Sequence, residues 1–242
     1  MEVGISLGWR CGAAEIGVHT NERGKRKEGY KTCPFDIGVT NYIGICKCIE
    51  DDFKYFLDDK YLILRKEPYM KKILGPNQTE DQMWIYNSYY NFAFNHESPG
   101  HGNLYIKENW SEGINHFVNN NFKNFKERFQ KRIENFRYYI KNATKINFLI
   151  LRYNDNCSKL ENIIKNKYPN LNFNLYIYQG LDKFINITMK KTKESIIEFD
   201  VAYLKYLNIS EEEYPEEYER YKNNNIISFE DTNILKFKKE WY

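Results

Sequence analysis

Two apolar runs joined by a short amphipathic stretch do most to limit what this chain can fold into. Residues 146–152 (Ile-Asn-Phe-Leu-Ile-Leu-Arg) read as a strongly apolar strand, and Asn154-Asp155-Asn156 as a turn and helix cap. Residues 158–167 turn Leu160, Ile163 and Ile164 to one side, Pro169 ends that helix, and residues 172–178 alternate Phe173, Leu175 and Ile177 with polar and tyrosyl neighbours. A strand, a helix and a second strand within about thirty residues are the pattern of parallel pairing, because parallel strands need a crossover and that crossover is right-handed. The expected class is α/β: a mostly parallel, three-layer-like sheet flanked by helices.

The N-terminus repeats the strand-to-helix step. Residues 3–7 suit a first buried strand, Gly8 permits a sharp turn, and Cys11-Gly12-Ala13-Ala14-Glu15 has the small residues and the acid of an opening helical turn. Free backbone N–H groups and the positive end of a helix dipole stabilise a thiolate, taking a cysteine pKa from about 8.5 into roughly the 3.5–7.5 range; Arg10 could add to this. The same position also suits an inert cysteine packed under the helix, the ordinary fate of a free thiol. Cys11 follows the carboxyl end of its strand, as Arg152, Asn154 and Asp155 follow theirs. Ligands of open α/β sheets sit outside those ends, so both groups can face one cleft.

Between these units the pattern is less regular. Residues 20–31 are polar and basic and read as an exposed loop. Asp36 follows, flanked by Pro34-Phe35 and Ile37-Gly38, either as a turn aspartate or as a partner in a site. Residues 41–57 have near-helical apolar spacing, and residues 61–64 suit a short strand. Residues 85–94 alternate imperfectly and lead into His96, just before the breaker Ser98-Pro99-Gly100-His101-Gly102. His96 there can serve as general base to a cysteine, or can be a structural histidine; His101 is the competing candidate. Residues 114–140 carry the best helical stripe, with Ser111 as its expected cap and Arg128 among the basic residues on its other faces.

Composition narrows the class of function. The chain has 242 residues and 42% apolar content, enough for one α/β domain over residues 1–242 with a possible C-terminal extension over 205–242. A net charge of +3, with acids and bases interspersed, gives no nucleic-acid signature. No 18-residue apolar stretch and no signal peptide is visible, so a cytoplasmic protein without a membrane role is expected. Five cysteines without a C-x-x-C pair imply neither a disulfide framework nor a metal site, and no cofactor motif is present.

Ile5-Ser6-Leu7-Gly8-x-x-Cys11, then Pro34-Phe35-Asp36, then Phe94-x-His96 ahead of an aromatic, Arg-containing helix, then a strand ending in Arg152, resembles the DUF1796 family, described as papain-like cysteine peptidases. The order covers residues 6 to about 178. The resemblance implies Cys11 as nucleophile, His96 as base and Asp36 as the group orienting that histidine; the residues themselves offer either Asp36 or Asp155 for that last role. It also carries over Ser6, Gly8 and Arg152; with Asp155 these form the expected substrate-binding set. Ile37 and Glu97 stand where the family usually has Trp and Asp. The leading expectation is a hydrolase or acyltransferase working on a protein or small acyl substrate through a Cys-His pair. Two alternatives stand beside it. One is a Rossmann-like sugar- or nucleotide-handling protein using Arg152, Asp155 and the Gly8 turn, with Cys11 structural; the other is a non-catalytic interaction protein presenting its tyrosines.

Overall fold

The computed structural model describes residues 1–8, 11–66, 83–100, 106–151 and 157–178. Arg10, His101, Arg152, Asn154, Asp155 and the possible extension at 205–242 lie outside the described residues.

The protein is α/β. Strands β1 (Glu2–Gly8), β5 (Lys145–Leu151) and β6 (Phe173–Tyr178) form a parallel sheet in the order β1-β5-β6. Helix α4 (Ser158–Lys167) connects β5 to β6, as the apolar pattern of that stretch predicts. Strand β5 is central and buried on both faces, which is why it reads as a nearly unbroken apolar run. Leu149 and Leu151 meet Ala13 and Ile16 of helix α1 (Gly12–His19) on one face. Ile146, Phe148 and Ile150 point to the other face, into the main core that Leu160 and Ile164 of α4 also enter. Successive side chains of a strand alternate sides, so one short sequence supplies two helix-packing surfaces.

A second sheet accompanies the first. Strands β2 (Leu62–Lys66), β3 (Met83–Asn87) and β4 (Phe92–Phe94) pair antiparallel in the order β2-β3-β4. The stretch read as one imperfect strand over 85–94 is therefore two strands and a turn. Asn87 makes that turn: its amide donates to the Tyr55 and Phe56 carbonyls, and its side-chain oxygen accepts the Tyr89 and Tyr90 N–H groups. The imperfect alternation marks the place where the chain reverses.

Two expected helices are shorter than their apolar spacing. Helix α2 (Tyr42–Glu50) starts at Asn41, whose side chain accepts the Gly44 N–H at 2.7 Å, but it ends at Glu50 rather than continuing to Leu57. Asp52 and Phe53 adopt left-handed backbone (φ 52° and 63°), and Phe53 and Phe56 still reach the core from a run of turns. Helix α3 (Asn119–Asn142) is interrupted at Asn120, Asn121 and Phe122, which have positive φ. Val118, not Ser111, precedes it, with no side-chain cap. The expected stripe survives: Phe125, Phe129, Ile133 and Phe136 are buried. Rings from α3, the antiparallel sheet and the loops between them fill one core, with Phe35 edge-on to Phe92 and Phe136, and Phe94 edge-on to Phe125 and Phe129. Among the described residues no helix is long and apolar enough to cross a membrane.

Candidate functional site

Pairing between β1 and β5 slips at the end of β1. Ser6 lies opposite Leu149 and Gly8 opposite Ile150, so two steps on β1 match one on β5. Bulges of this kind re-aim the chain beside functional positions. Gly8 makes the slip possible, with φ +96°, and the buried Ser6 hydroxyl accepts its N–H at 3.2 Å. Ser6 thus shapes the turn from within the core.

Cys11 follows as the residue preceding α1. Its carbonyl accepts the Glu15 N–H at 2.9 Å, and its side chain is half-buried, whereas Cys33, Cys46, Cys48 and Cys157 are buried. Among the described residues none of the five is joined in a disulfide. The first N–H groups of a helix have no partner within it, so the helix itself does not occupy those after Cys11.

His96 arrives from the other sheet, buried in a single 3₁₀ turn, Asn95–Glu97, directly after β4. That turn is held at two points. The Ser98 hydroxyl donates to the Phe94 carbonyl and accepts the Ile85 N–H at 2.7 Å, tying the turn to β3. The Glu97 carboxylate lies 3.1 Å from both Arg128 and Arg132 of α3, and both Glu97 and the Arg132 side chain are buried. Arg128 and Arg132 sit one helical turn apart on one face, the spacing at which two cations repel unless an acid lies between them. The chain supplies Glu97 for that purpose, and His96 is its neighbour.

A short strap brings the cysteine and histidine segments together. Val39 forms a two-way bridge with Ala93 of β4, at 2.7 and 2.9 Å. The next residue, Thr40, packs against β1 so closely that a Cβ on Gly8 would lie 2.0 Å from its Oγ1. Cys11 is three residues beyond Gly8, and His96 three beyond Ala93. Each is within about 11 Å of chain from the strap.

The bonds that the structure gives Asp36, expected to orient His96, run to its own loop. One carboxylate oxygen takes Arg23 Nη2 at 3.0 Å and the Cys33 N–H at 2.7 Å, while the other takes the Tyr30 hydroxyl at 3.3 Å. Among the described residues it makes no bond to His96. Asp36 instead fastens the basic loop to the core, with the Arg23 guanidinium stacked on the Tyr30 ring at 4.0 Å. Burial alone would lower the Arg23 pKa; Asp36 and Tyr30 more than reverse that and raise it. Burial, reinforced by Asp36, pushes the Tyr30 hydroxyl and the Cys33 thiol well above their ordinary values. Among the described residues no group of three or more His, Cys, Asp or Glu side chains is gathered for a metal ion.

The strap thus links Gly8 and Ala93, the residues three before Cys11 and His96, while the bonds of the Asp36 carboxylate run to Arg23, Tyr30 and Cys33. The Arg128–Glu97–Arg132 clamp was not visible in the sequence as a unit; its signal was an acid beside the histidine and two arginines at helical spacing downstream.

A thiol at the start of a helix, beyond a bulged strand of a parallel sheet, defines an α/β protein with a candidate cysteine site. A family model described as "Putative papain-like cysteine peptidase (DUF1796)" matches residues 2–191, most of the chain, and the protein belongs to that family. No curated protein and no solved structure matches it.

Proposed function

We propose that the protein is a cysteine hydrolase or acyltransferase in which Cys11 is the nucleophile and His96 the base. The observation that carries this reading is the Val39–Thr40 strap, which ties the strand leading to Cys11 to the strand leading to His96. His96 takes the Cys11 thiol proton, and the thiolate adds to the substrate carbonyl. The N–H groups opening α1 receive the resulting oxyanion. Collapse of the adduct expels an amine or alcohol, which leaves with the proton from His96, and a thioester on Cys11 remains. Water or a second acceptor then cleaves the thioester, giving its proton to His96 and returning the thiol. Family membership supports the peptidase form of this chemistry.

The test is the alkylation rate of each cysteine against pH, read by peptide mass mapping, in the native protein and in His96→Ala. Fast, selective modification of Cys11 below about pH 7, slowed in the variant, is the expected result. A Cys11 that reacts only after unfolding overturns the reading.

A further inference from the structure

His96 is the middle residue of Phe94–Ser98, a segment whose ends are joined by a single side chain. Phe94 ends β4, Asn95–Glu97 form the 3₁₀ turn, and Ser98 resumes extended backbone at φ −103° and ψ 150°. The Ser98 hydroxyl donates to the Phe94 carbonyl, and the Ser98 N–H donates to the Asn95 carbonyl at 3.3 Å, so one residue closes the turn with both its side chain and its backbone. The same hydroxyl enters the β3–β4 ladder. Ala93 turns its N–H and carbonyl to Val39, so Phe94, next along the strand, turns its own toward Ile85 of β3, with which it is paired. In a plain antiparallel pair the Ile85 N–H would be bonded to that Phe94 carbonyl. Here the Ile85 N–H donates to Ser98 Oγ at 2.7 Å and Ser98 Oγ donates to the Phe94 carbonyl, so the hydroxyl bridges the pair. Ser98 is fully buried, and solvent does not compete for either bond. Glu97 ties the turn to α3 through long side chains, whereas Ser98 acts on the backbone at both ends of it.

We infer that Ser98 is a positioning residue: its hydroxyl, set between Ile85 and Phe94, fixes the direction in which the His96 imidazole leaves β4 and so its presentation to the thiol. The inference rests on the cysteine-hydrolase reading for what His96 does, not for how its turn is held. Without the hydroxyl, the Ile85 N–H and the Phe94 carbonyl lose their shared partner inside the core, and an unpaired buried donor and acceptor are costly enough to draw the ladder closed. That closure carries Phe94 toward β3 and turns the segment that bears His96. Replacing Ser98 by alanine removes no charge, and the carboxylate of Glu97 with the guanidiniums of Arg128 and Arg132 all remain. A change in how His96 titrates in that variant therefore reports a change in where the imidazole lies among them.

Nuclear magnetic resonance of the full chain with labelled histidines, titrated from about pH 5 to about pH 8, reads the imidazole directly, with the His96 signals assigned by their loss in His96→Ala. In Ser98→Ala the His96 ring shifts should change and its midpoint should move by at least about 0.5 pH unit. Cys11 alkylation below about pH 7 should slow about tenfold or more in the same variant. Ser98→Cys nearly keeps the volume but offers only a weak sulfur donor, so it should show the same displacement and serves where the alanine variant does not fold. Asn87→Ala is the control: it loosens the turn at the far end of the same β3–β4 pair and should leave His96 unmoved. His96 shifts and midpoint unchanged in both Ser98 variants, or displaced equally in Asn87→Ala, would overturn the inference. A native Cys11 that is silent to alkylation removes the hydrolase reading, and the His96 signals still decide whether Ser98 holds the histidine.

Discussion

Replacing Asp36 by alanine would strip one acceptor from three donors at once: Arg23 Nη2, the Tyr30 hydroxyl and the Cys33 N–H. The Arg23 side chain is only 9% exposed, so its charge would be left in the protein without a counter-ion. Breaking a buried pair from one side costs about 3–5 kcal/mol, and Asp36→Ala should lower the urea midpoint accordingly. The milder Asp36→Asn should leave the pH profile of Cys11 alkylation unmoved in the folded fraction, since Asp36 has no bond to His96. A profile displaced in that variant would restore Asp36 to the site. Gly8→Ala offers a second probe on the cysteine side. Its Cβ would clash with Thr40 Oγ1 and its φ of +96° is strained for any L side chain, so a loss of about 1–3 kcal/mol is expected. Adding Thr40→Ala should recover only the steric share, because the Thr40 Cβ, 3.3 Å away, and the backbone strain both remain.

The elements differ in how openly the sequence declared them. The β5–α4–β6 unit was legible because both faces of β5 are covered, and the apolar run, the amphipathic helix and Pro169 agree with one another. Spacing over 41–57 was misleading for a physical reason: Phe53 and Phe56 are core residues delivered by turns, so periodic burial continued after the helix had stopped at Glu50. The antiparallel sheet was missed because its β3–β4 turn is made by Asn87 bonding across to Tyr55 and Phe56, partners that no local pattern reveals. Glu97 was visible only as a departure from a family pattern, although it fixes the turn carrying His96 to α3. That element gives a prediction of its own. Glu97→Gln leaves Arg128 and Arg132 facing each other without an acid, so stability should fall by about 3 kcal/mol. An unchanged urea midpoint in Glu97→Gln would show that the two arginines do not need the acid between them.

Across the whole molecule the two sheets share one aromatic core, and that core holds titratable groups that ionise readily once the chain unfolds. Cys33 and Cys48 both belong to it, and burial raises each thiol well above its ordinary value of 9.0. Tyr30, in the same core, is raised above 10.0, again first by burial. For an acid whose folded pKa is raised, the folded state keeps its proton where the unfolded chain releases it. Above the unfolded pKa the folded form therefore binds more protons, and stability falls as pH rises. The cysteines bring this on first, near pH 9, and the tyrosine follows near pH 10. Each group adds a slope of about 1.4 kcal/mol per pH unit once past its unfolded pKa. Urea midpoints between about pH 7.5 and about pH 10 should decline with increasing steepness, and the decline between about pH 9 and about pH 10 should flatten in Cys33→Ala/Cys48→Ala. Because both thiols lie in one packed cluster, ring-environment and backbone signals should be lost together along that decline. Midpoints that hold steady to about pH 10 would mean that the thiols ionise inside the folded protein, which their burial forbids.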